Sequence, residues 1–204
     1  MSMLDLYTIA IFLIMYLICS INPAIIICKL KTGEDIRKLG SGNAGSANAM
    51  RVLGKPLGLV VVIFDVLKVF AAYYICAWIA KIFSHSQDEV TFKVVFILAT
   101  VIGHVFPVYY HFKGGKGVIV GVTVIFILEP QNAIICIVAS LLIFLYTKTP
   151  AKATLSGLIL YVIISLVKGH EYLLPVLISS AIIMFKHRSN IYRIITKQEE
   201  KIKF

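Results

Sequence analysis

Long uncharged stretches dominate the order of apolar and polar residues along this chain. The first of them covers residues 6–28 without a formal charge. About 20 helical residues rise roughly 30 Å, which matches the hydrocarbon core of a bilayer. Further apolar runs lie at residues 57–80, 94–110, 117–128, 131–146, 155–167 and 173–185. The pattern therefore predicts about seven transmembrane helices, although some runs are so short that five crossings with two re-entrant segments are the alternative.

The composition agrees with an integral membrane protein. Of the 204 residues, 59% are hydrophobic and 15% are charged, and the mean hydropathy is +0.92. Soluble domains carry about 25% charged residues, and a soluble chain of this length could not bury so much apolar surface. The first apolar run has no basic residue ahead of it and is longer than the core of a secretory signal. We expect an all-α integral membrane protein with one polytopic domain over residues 1–204.

The positive residues predict how the helices are oriented. If all seven runs cross, most of the 20 Lys and Arg residues share one side. That side receives the loops 29–56, 111–116, 147–154 and 186–204. The opposite side holds only Lys81, Lys93 and Lys168. Because positive residues mark the cytoplasmic side, we predict an N-terminus outside and a cytoplasmic C-terminus. The formal charge of +10 then faces anionic headgroups and substrates, which argues against a nucleic-acid partner.

The first predicted cytoplasmic loop contains the glycine-rich segment LGSGNAGSANAMR, residues 39–51. Gly40, Gly42 and Gly45 match the G-x-G-x-x-G pattern of dinucleotide-binding proteins. That pattern requires a preceding strand and a βαβ unit, whereas this segment follows an apolar run and a charged loop, so we exclude a dinucleotide site. The small residues still allow successive backbone N–H groups to surround an anion. Arg51 adds a planar cation that suits phosphate.

Two more segments on the same predicted side carry polar residues that suit a site. The sequence KGGKG places Lys113 and Lys116 in a glycine-rich turn that lacks the Walker A pattern. His187 and Asn190 emerge where the last apolar run ends. Histidine exchanges protons near neutral pH, and asparagine orients hydroxyl or carbonyl groups. Residues 193–204 are expected to form a basic amphipathic tail on the membrane surface.

Some polar residues fall inside the apolar runs, and we expect structural roles for them. Asp65 and Lys68 are three residues apart, so they can form an ion pair on one helix. We expect His104 to be an interior, hydrogen-bonded histidine and Pro107 to bend its helix. The cysteines include no C-x-x-C pair and are expected to be small buried residues rather than metal ligands or disulfides. They are Cys19, Cys28, Cys76 and Cys136.

Five segments taken in order resemble the bacterial acyl-phosphate-dependent glycerol-3-phosphate acyltransferase family. They are SINPA, GEDIRKLGSGNAGSANAMRVLGK, DVLK, GHVFPVYYHFKGGKGV and HRSNI, between about Ser20 and Ile191. The resemblance implies a seven-helix membrane bundle whose active site opens to the cytosol. It implies transfer of a fatty acyl group from acyl phosphate to the 1-hydroxyl of sn-glycerol 3-phosphate. The products are 1-acyl-sn-glycerol 3-phosphate (lysophosphatidic acid) and inorganic phosphate, in the first step of phospholipid synthesis at the cell (inner) membrane.

The resemblance also implies roles for individual residues. The family's catalytic serine, lysine, histidine and asparagine match Ser41, Lys116, His187 and Asn190. The resemblance implies substrate binding by Arg51 and by a hydroxyl residue that is Thr154 or Ser156, with Lys113 as the alternative lysine. The backbone pattern of the first loop adds, as our own hypothesis, the substrate-binding residues Gly40, Gly42, Asn43, Gly45, Ser46 and Asn48. The family's first loop usually reads G-S-G-N-P-G-A-T-N, whereas Ala44 here replaces its proline. Without that proline the loop should be less preorganised.

Both predicted reactants are phosphate anions, so their site needs cations and hydrogen-bond donors. We expect residues 40–48 to hold the acyl phosphate. Arg51 and Lys116 are expected to bind glycerol 3-phosphate, and His187 and Asn190 are expected to position its glycerol end. Two alternatives stay open: His187 as general base or only as a positioning group, and Lys113 in place of Lys116. We expect no cofactor, metal or protein partner, with the two substrates and the bilayer as the partners. The alternative function is a membrane transporter of an organic phosphate or another anion.

Overall fold

The computed structural model describes residues 3–83 and 89–201, and within these ranges the chain is helical with no strand. The glycine-rich segment after residue 39 is therefore not part of a βαβ unit, as the sequence predicted. The helices are α1 (Met3–Ser20), α2 (Pro23–Thr32), α3 (Ser46–Leu53), α4 (Lys55–Phe83), α5 (Glu89–Val105), α6 (Val118–Leu128), α7 (Pro130–Thr147), α8 (Pro150–Lys168), α9 (Leu173–Lys186) and α10 (Arg188–Ile195). Two 3₁₀ turns, Ile36–Lys38 and Val108–Tyr110, interrupt the loops.

Five helical segments within the described ranges are long and apolar enough to cross a membrane. They are Leu6–Thr32, Lys55–Ile82, Glu89–Tyr110, Pro130–Thr147 and Pro150–Lys168. The helices α6 and α9 are also apolar but have only 11 and 14 residues. At 1.5 Å per residue they rise about 17 and 21 Å, less than a bilayer core. The all-helical membrane architecture is confirmed, and seven crossings stay a prediction.

The first apolar run is not one continuous helix, which corrects the prediction for residues 6–28. Pro23 opens α2, where its missing N–H leaves no helical hydrogen bond unmade. The Asn22 side chain caps this helix, because its Oδ1 accepts from the N–H of Ile25 at 3.1 Å. Its Nδ2 donates to the carbonyl of Ala44 at 3.1 Å. The break therefore connects the first membrane segment to the glycine-rich loop.

The expected bend at Pro107 is also wrong. The helix α5 ends at Val105, and Pro107 stands at the start of the following 3₁₀ turn. A residue that precedes proline is pushed away from helical geometry, so the helix stops instead of continuing with a kink. The chain therefore leaves the membrane segment here and enters the turn that carries KGGKG.

The helical contacts divide the chain into two compact units, Met1–Val124 and Ile125–Phe204. In the first unit α1 packs against α4 and α5, while α2 and α3 pack against α4. In the second unit α8 packs against both α7 and α9, and α10 lies against α8 and α9. At one end of the second unit the carboxylate of Glu129 accepts from the hydroxyls of Tyr161 and Tyr172, at 3.0 and 2.5 Å. That carboxylate ties the ends of α7, α8 and α9 together.

The interior of the first unit contains the predicted ion pair. The ammonium of Lys68 lies 2.7 Å from Asp65 Oδ1, and both side chains are buried. Lys68 also contacts His104 Nδ1 at 3.0 Å and donates to the carbonyl of Ile21 at 2.8 Å. The predictions of an ion pair and of an interior, hydrogen-bonded histidine are confirmed. All four cysteines are buried free thiols, as predicted.

Candidate active site

The glycine-rich loop is a tight turn that leads into a short helix. Gly40 and Gly42 have φ values of 56° and 72°, in the left-handed region where a Cβ is unfavourable. The N–H of Gly42 donates to the carbonyl of Leu39 at 3.0 Å and closes the turn. Helix α3 then starts at Ser46, which the sequence analysis did not predict. Its N-cap, Gly45, supplies no side-chain hydrogen bond, so the first N–H groups of the helix form a donor-rich end.

Asn48 holds this loop in shape. Its side chain is 1% exposed, and its Oδ1 accepts from the N–H of Ser41 at 2.8 Å. Its Nδ2 donates to the carbonyls of Ile36 and Leu39, at 3.2 and 2.9 Å. Both Nδ2 protons and the Oδ1 atom of this amide are thus used within the protein. The backbone N–H of Ser41 donates to this same side chain. The backbone N–H groups that suit an anion are therefore those of residues 46–48, at the start of α3.

Four of the predicted site residues in this loop are exposed, namely Gly40, Ser41, Gly42 and Arg51. Ser41 and Arg51 both have exposed side chains, and Asn43 and Ser46 are partly exposed. Arg51 lies in the last turn of α3, five residues beyond the start of that helix. The loop therefore combines an exposed hydroxyl, an exposed guanidinium and a helix N-terminus within one short segment.

The second predicted segment lies directly against the first. The N–H groups of Gly114 and Gly115 donate to the carbonyls of Val105 and His104, at 3.1 and 3.3 Å. A Cβ on Gly115 would lie 2.8 Å from the carbonyl oxygen of Ala44 and would overlap the His104 ring. Only a residue without a side chain fits between α5 and the glycine-rich loop. Two of the three predicted segments are thus brought into contact within the first unit.

The two lysines of this turn differ in their surroundings. Lys113 has an exposed side chain, whereas Lys116 is half-buried between the buried residues Gly115 and Gly117. A half-buried cation next to packed backbone interacts more strongly with an anion than a cation in open solvent, because water screens it less. The surroundings therefore favour Lys116 over Lys113 as the anion-binding lysine.

The third predicted segment lies in the second unit, at the junction of α9 and α10. His187 occupies this junction and is 4% exposed. Its Nδ1 lies 2.8 Å from the carbonyl of Ile183. A carbonyl can only accept, so Nδ1 carries the proton, and in the neutral ring Nε2 has the lone pair. The geometry sets the tautomer that a hydroxyl-binding histidine needs.

Asn190 is held by a residue that the sequence analysis missed. Asn190 is 7% exposed, and its Nδ2 donates to Glu199 Oε1 at 2.6 Å. The Nε of Arg193 donates to Glu199 Oε2 at 2.6 Å. The segment after α10 therefore folds back on that helix through Glu199, and the placement of residues 193–204 on the membrane surface stays a prediction. No periodic signal points to Glu199, because the contact depends on a turn after the helix ends.

Thr154 and Ser156 both lie on α8, and both are half-buried. Residues two apart on a helix point about 200° away from each other. They therefore face different sides of α8, and only one of them can face α10.

Within the described residues no group of His, Cys, Asp and Glu side chains could hold a metal ion.

Known proteins are similar to this chain over most of its length. The glycerol-3-phosphate acyltransferase family profile matches residues 9–197. Glycerol-3-phosphate acyltransferases of Aquifex aeolicus and Finegoldia magna are each 36% identical to this chain, over 196 and 200 residues. These matches cover 94% of this chain and 98% of the Aquifex protein, and 97% of this chain and of the Finegoldia protein.

Solved structures are similar over nearly the whole chain. The crystal structure of PlsY (YgiH), an integral membrane glycerol 3-phosphate acyltransferase, in its glycerol 3-phosphate form has a TM-score of 0.84. The identity is 34%, and the match covers 96% of both chains. The lysophosphatidic acid form has a TM-score of 0.81 and 32% identity, covering 96% of this chain and 95% of that one. The fold and motifs define an integral membrane protein of the acyltransferase class. The chain belongs to the glycerol-3-phosphate acyltransferase family.

Proposed function

We propose that the protein transfers a fatty acyl group from acyl phosphate to the 1-hydroxyl of sn-glycerol 3-phosphate. The observation that carries this proposal is the contact between the glycine-rich loop and the 113–117 turn, the two segments to which we assign phosphate binding. Both reactants carry a phosphate group, so two adjacent sets of donors and cations meet the main requirement of the reaction. Family membership supports glycerol 3-phosphate as the acceptor.

The reaction needs orientation more than activation of the acyl donor. An acyl phosphate is a mixed anhydride, so its carbonyl carbon is already electrophilic. The glycerol hydroxyl oxygen attacks this carbon, the bond from the carbon to the phosphate oxygen breaks, and phosphate leaves. The hydroxyl proton passes to the leaving phosphate, and no covalent acyl-enzyme forms. Holding two reactants in line contributes about 7–11 kcal/mol in favourable cases.

The residues of the first unit supply the anion-binding groups. We assign the acyl phosphate to the glycine-rich loop and to the N–H groups at the start of α3. Arg51 and Lys116 bind the phosphate of glycerol 3-phosphate, and the exposed hydroxyl of Ser41 assists them. A bidentate guanidinium and a point-charge ammonium complement each other on one phosphate.

The last motif acts on the glycerol end of the acceptor. With its Nδ1 proton on the Ile183 carbonyl, a neutral His187 accepts a hydrogen bond at Nε2 from the glycerol hydroxyl. We assign His187 a positioning role, with the leaving phosphate as proton acceptor. The Asn190 side chain, fixed by Glu199, orients the same end of the substrate, and Thr154 or Ser156 adds a hydroxyl.

We also propose that seven helices cross the cell membrane, with the N-terminus outside and the active site facing the cytoplasm. The excess of Lys and Arg in the loops that carry the motifs supports this orientation. A single-cysteine variant at Lys113, made in a background without the native cysteines, should react with an impermeant thiol reagent only in inside-out vesicles. Reaction in right-side-out vesicles would refute the proposed orientation.

The function is tested with purified protein in detergent, palmitoyl phosphate and glycerol 3-phosphate. We expect one phosphate to be released for each lysophosphatidic acid formed, with the lysophosphatidic acid measured by mass spectrometry. The Lys116→Ala variant should be inactive, while Lys113→Ala, which removes the neighbouring exposed charge, should retain most activity. A parallel reaction with palmitoyl-CoA tests the donor. Phosphate release no higher than in the Lys116→Ala variant would overturn the proposal.

A further inference from the structure

The chain just before the KGGKG turn has an unfavourable backbone conformation. His111 and Phe112 have φ values of 55° and 58°, two consecutive non-glycine residues in the left-handed region. Such a residue is strained and persists only where the surroundings enforce its conformation. Both side chains are exposed, so their own burial does not enforce it. Another group must hold this segment.

The guanidinium of Arg37 makes contacts on both sides of the strained pair. Its Nη1 donates to the carbonyl of Tyr110 at 2.8 Å and to the carbonyl of Lys113 at 3.1 Å. These carbonyls belong to the residues immediately before and after the pair. The same turn is closed by backbone hydrogen bonds from the N–H of Phe112 to Pro107 and from the N–H of Lys113 to Tyr110, at 3.0 and 3.2 Å. Arg37 is thus the side chain that fastens the turn to another element.

Arg37 is itself fixed by its neighbour Asp35. Its Nε lies 3.0 Å from both carboxylate oxygens, and its Nη2 lies 2.6 Å from Oδ2. Asp35 Oδ1 also accepts from the backbone N–H of Arg37 at 2.9 Å, which caps the 3₁₀ turn Ile36–Lys38. Each of the three guanidinium nitrogens therefore donates within the protein. This arrangement suits a residue that holds other protein groups rather than one that binds substrate.

We propose that Arg37 is a positioning residue for this site: it fixes residues 110–113 to the 3₁₀ turn that leads into the glycine-rich loop, and so sets the place of Lys116. This inference rests on the proposed function, in which Lys116 binds the phosphate of glycerol 3-phosphate. Lys116 follows the fastened segment by three residues, and a displacement of about 1 Å can cost about 100-fold in rate. Because the acyl phosphate is assigned to the other segment, the effect falls on glycerol 3-phosphate.

The kinetic test compares Arg37→Gln and Arg37→Lys with Lys38→Gln, which removes an equal charge from the exposed neighbouring side chain. We expect Arg37→Gln to raise the KM for glycerol 3-phosphate about tenfold or more, and to change the KM for palmitoyl phosphate less than about twofold. Arg37→Lys should rescue part of the loss, since an ammonium lacks the planar fork of a guanidinium. Lys38→Gln should match the wild type. Equal changes in both KM values, or none, would overturn the inference.

Amide hydrogen exchange provides a second test that does not depend on activity. The N–H groups of residues 112–115 all donate hydrogen bonds in this turn, so they should be protected in the wild type. We expect faster exchange over residues 110–117 in Arg37→Gln, with exchange in α4 unchanged. Unaltered exchange in the turn would refute the role of Arg37 even if activity fell. If the wild type transferred no acyl group, the proposed function would fail while this measurement still decided the structural claim.

Discussion

Replacement of Lys68 by methionine is expected to destabilise the protein strongly, because Lys68 joins a buried polar cluster in the first unit. Its side chain is 7% exposed, and its ammonium contacts Asp65, His104 and the carbonyl of Ile21 at 2.7, 3.0 and 2.8 Å. Methionine keeps the length of the side chain and removes the charge and the donors. The substitution therefore isolates the electrostatic role of Lys68 from its packing.

The magnitude follows from what the substitution leaves behind. Asp65 is 2% exposed, and removing one partner of a buried ion pair costs about 3–5 kcal/mol. His104 Nδ1 remains 3.5 Å from Asp65, so the carboxylate keeps one polar neighbour and we expect a value of about 3 kcal/mol, at the lower end of this range. For a chain of this size, each 1 kcal/mol lowers Tm by about 2–4 °C. The expected decrease in Tm is therefore about 6–12 °C.

The buried cysteines provide the assay. All four are buried free thiols, so a thiol-reactive fluorophore reports their exposure as the detergent-solubilised protein unfolds. Lys81→Met, at an exposed position on the same helix, is the matched control and should leave Tm within about 2 °C. The double variant Asp65→Asn/Lys68→Met removes both charges and should recover at least half of the loss, since no buried charge remains unpaired. A single variant as stable as the wild type, or a double variant no more stable than the single one, would refute this reasoning.

Two further predictions concern the site. His187→Ala should lower kcat about 10–100-fold without deleting a limb of the pH–rate profile, measured from pH 5 to 9; loss of a limb would show that His187 is the general base instead. Hydrogen bonds from Arg37 hold the pKa of Asp35 below its usual 3.8. The stability that the ionised carboxylate gives to the Asp35–Arg37 pair is therefore complete above pH 3.8. It is lost only as the pH falls through the lower pKa of the folded state. Asp35→Asn should therefore raise the KM for glycerol 3-phosphate by the same factor throughout pH 5–8, and a factor that shrinks towards pH 5 would contradict this assignment.

Local sequence patterns predicted the parts of this protein that depend on neighbouring residues. The apolar runs indicated the membrane helices, because the cost of exposing polar backbone to lipid leaves helix as the conformation available to a long uncharged segment. The three-residue spacing of Asp65 and Lys68 predicted their ion pair, since that spacing places both on one helix face. The five motifs, taken in their order along the chain, predicted the family. The glycines predicted the turns in the glycine-rich loop and in KGGKG.

Contacts between segments far apart in the chain could not be predicted from local sequence patterns. Periodicity gives no sign that Arg37 reaches the carbonyls around residues 111–112, that Asn22 reaches Ala44, or that Glu199 holds Asn190. Helix α3 was missed because its eight residues are too few to show a pattern of their own. The predictions at Pro23 and Pro107 were wrong for a local reason, because a proline can end a helix as well as bend it.

The sequence by itself determined which segments are apolar enough for a bilayer and where the charged and hydroxyl side chains stand along the chain. These are local properties, set by transfer of side chains and backbone from water to lipid. The tertiary structure decided that Gly115 packs against the Ala44 carbonyl and that Lys116, rather than Lys113, lies beside buried backbone. Such placements arise from close packing between helices far apart in the chain, where a single added Cβ is enough to separate the two turns.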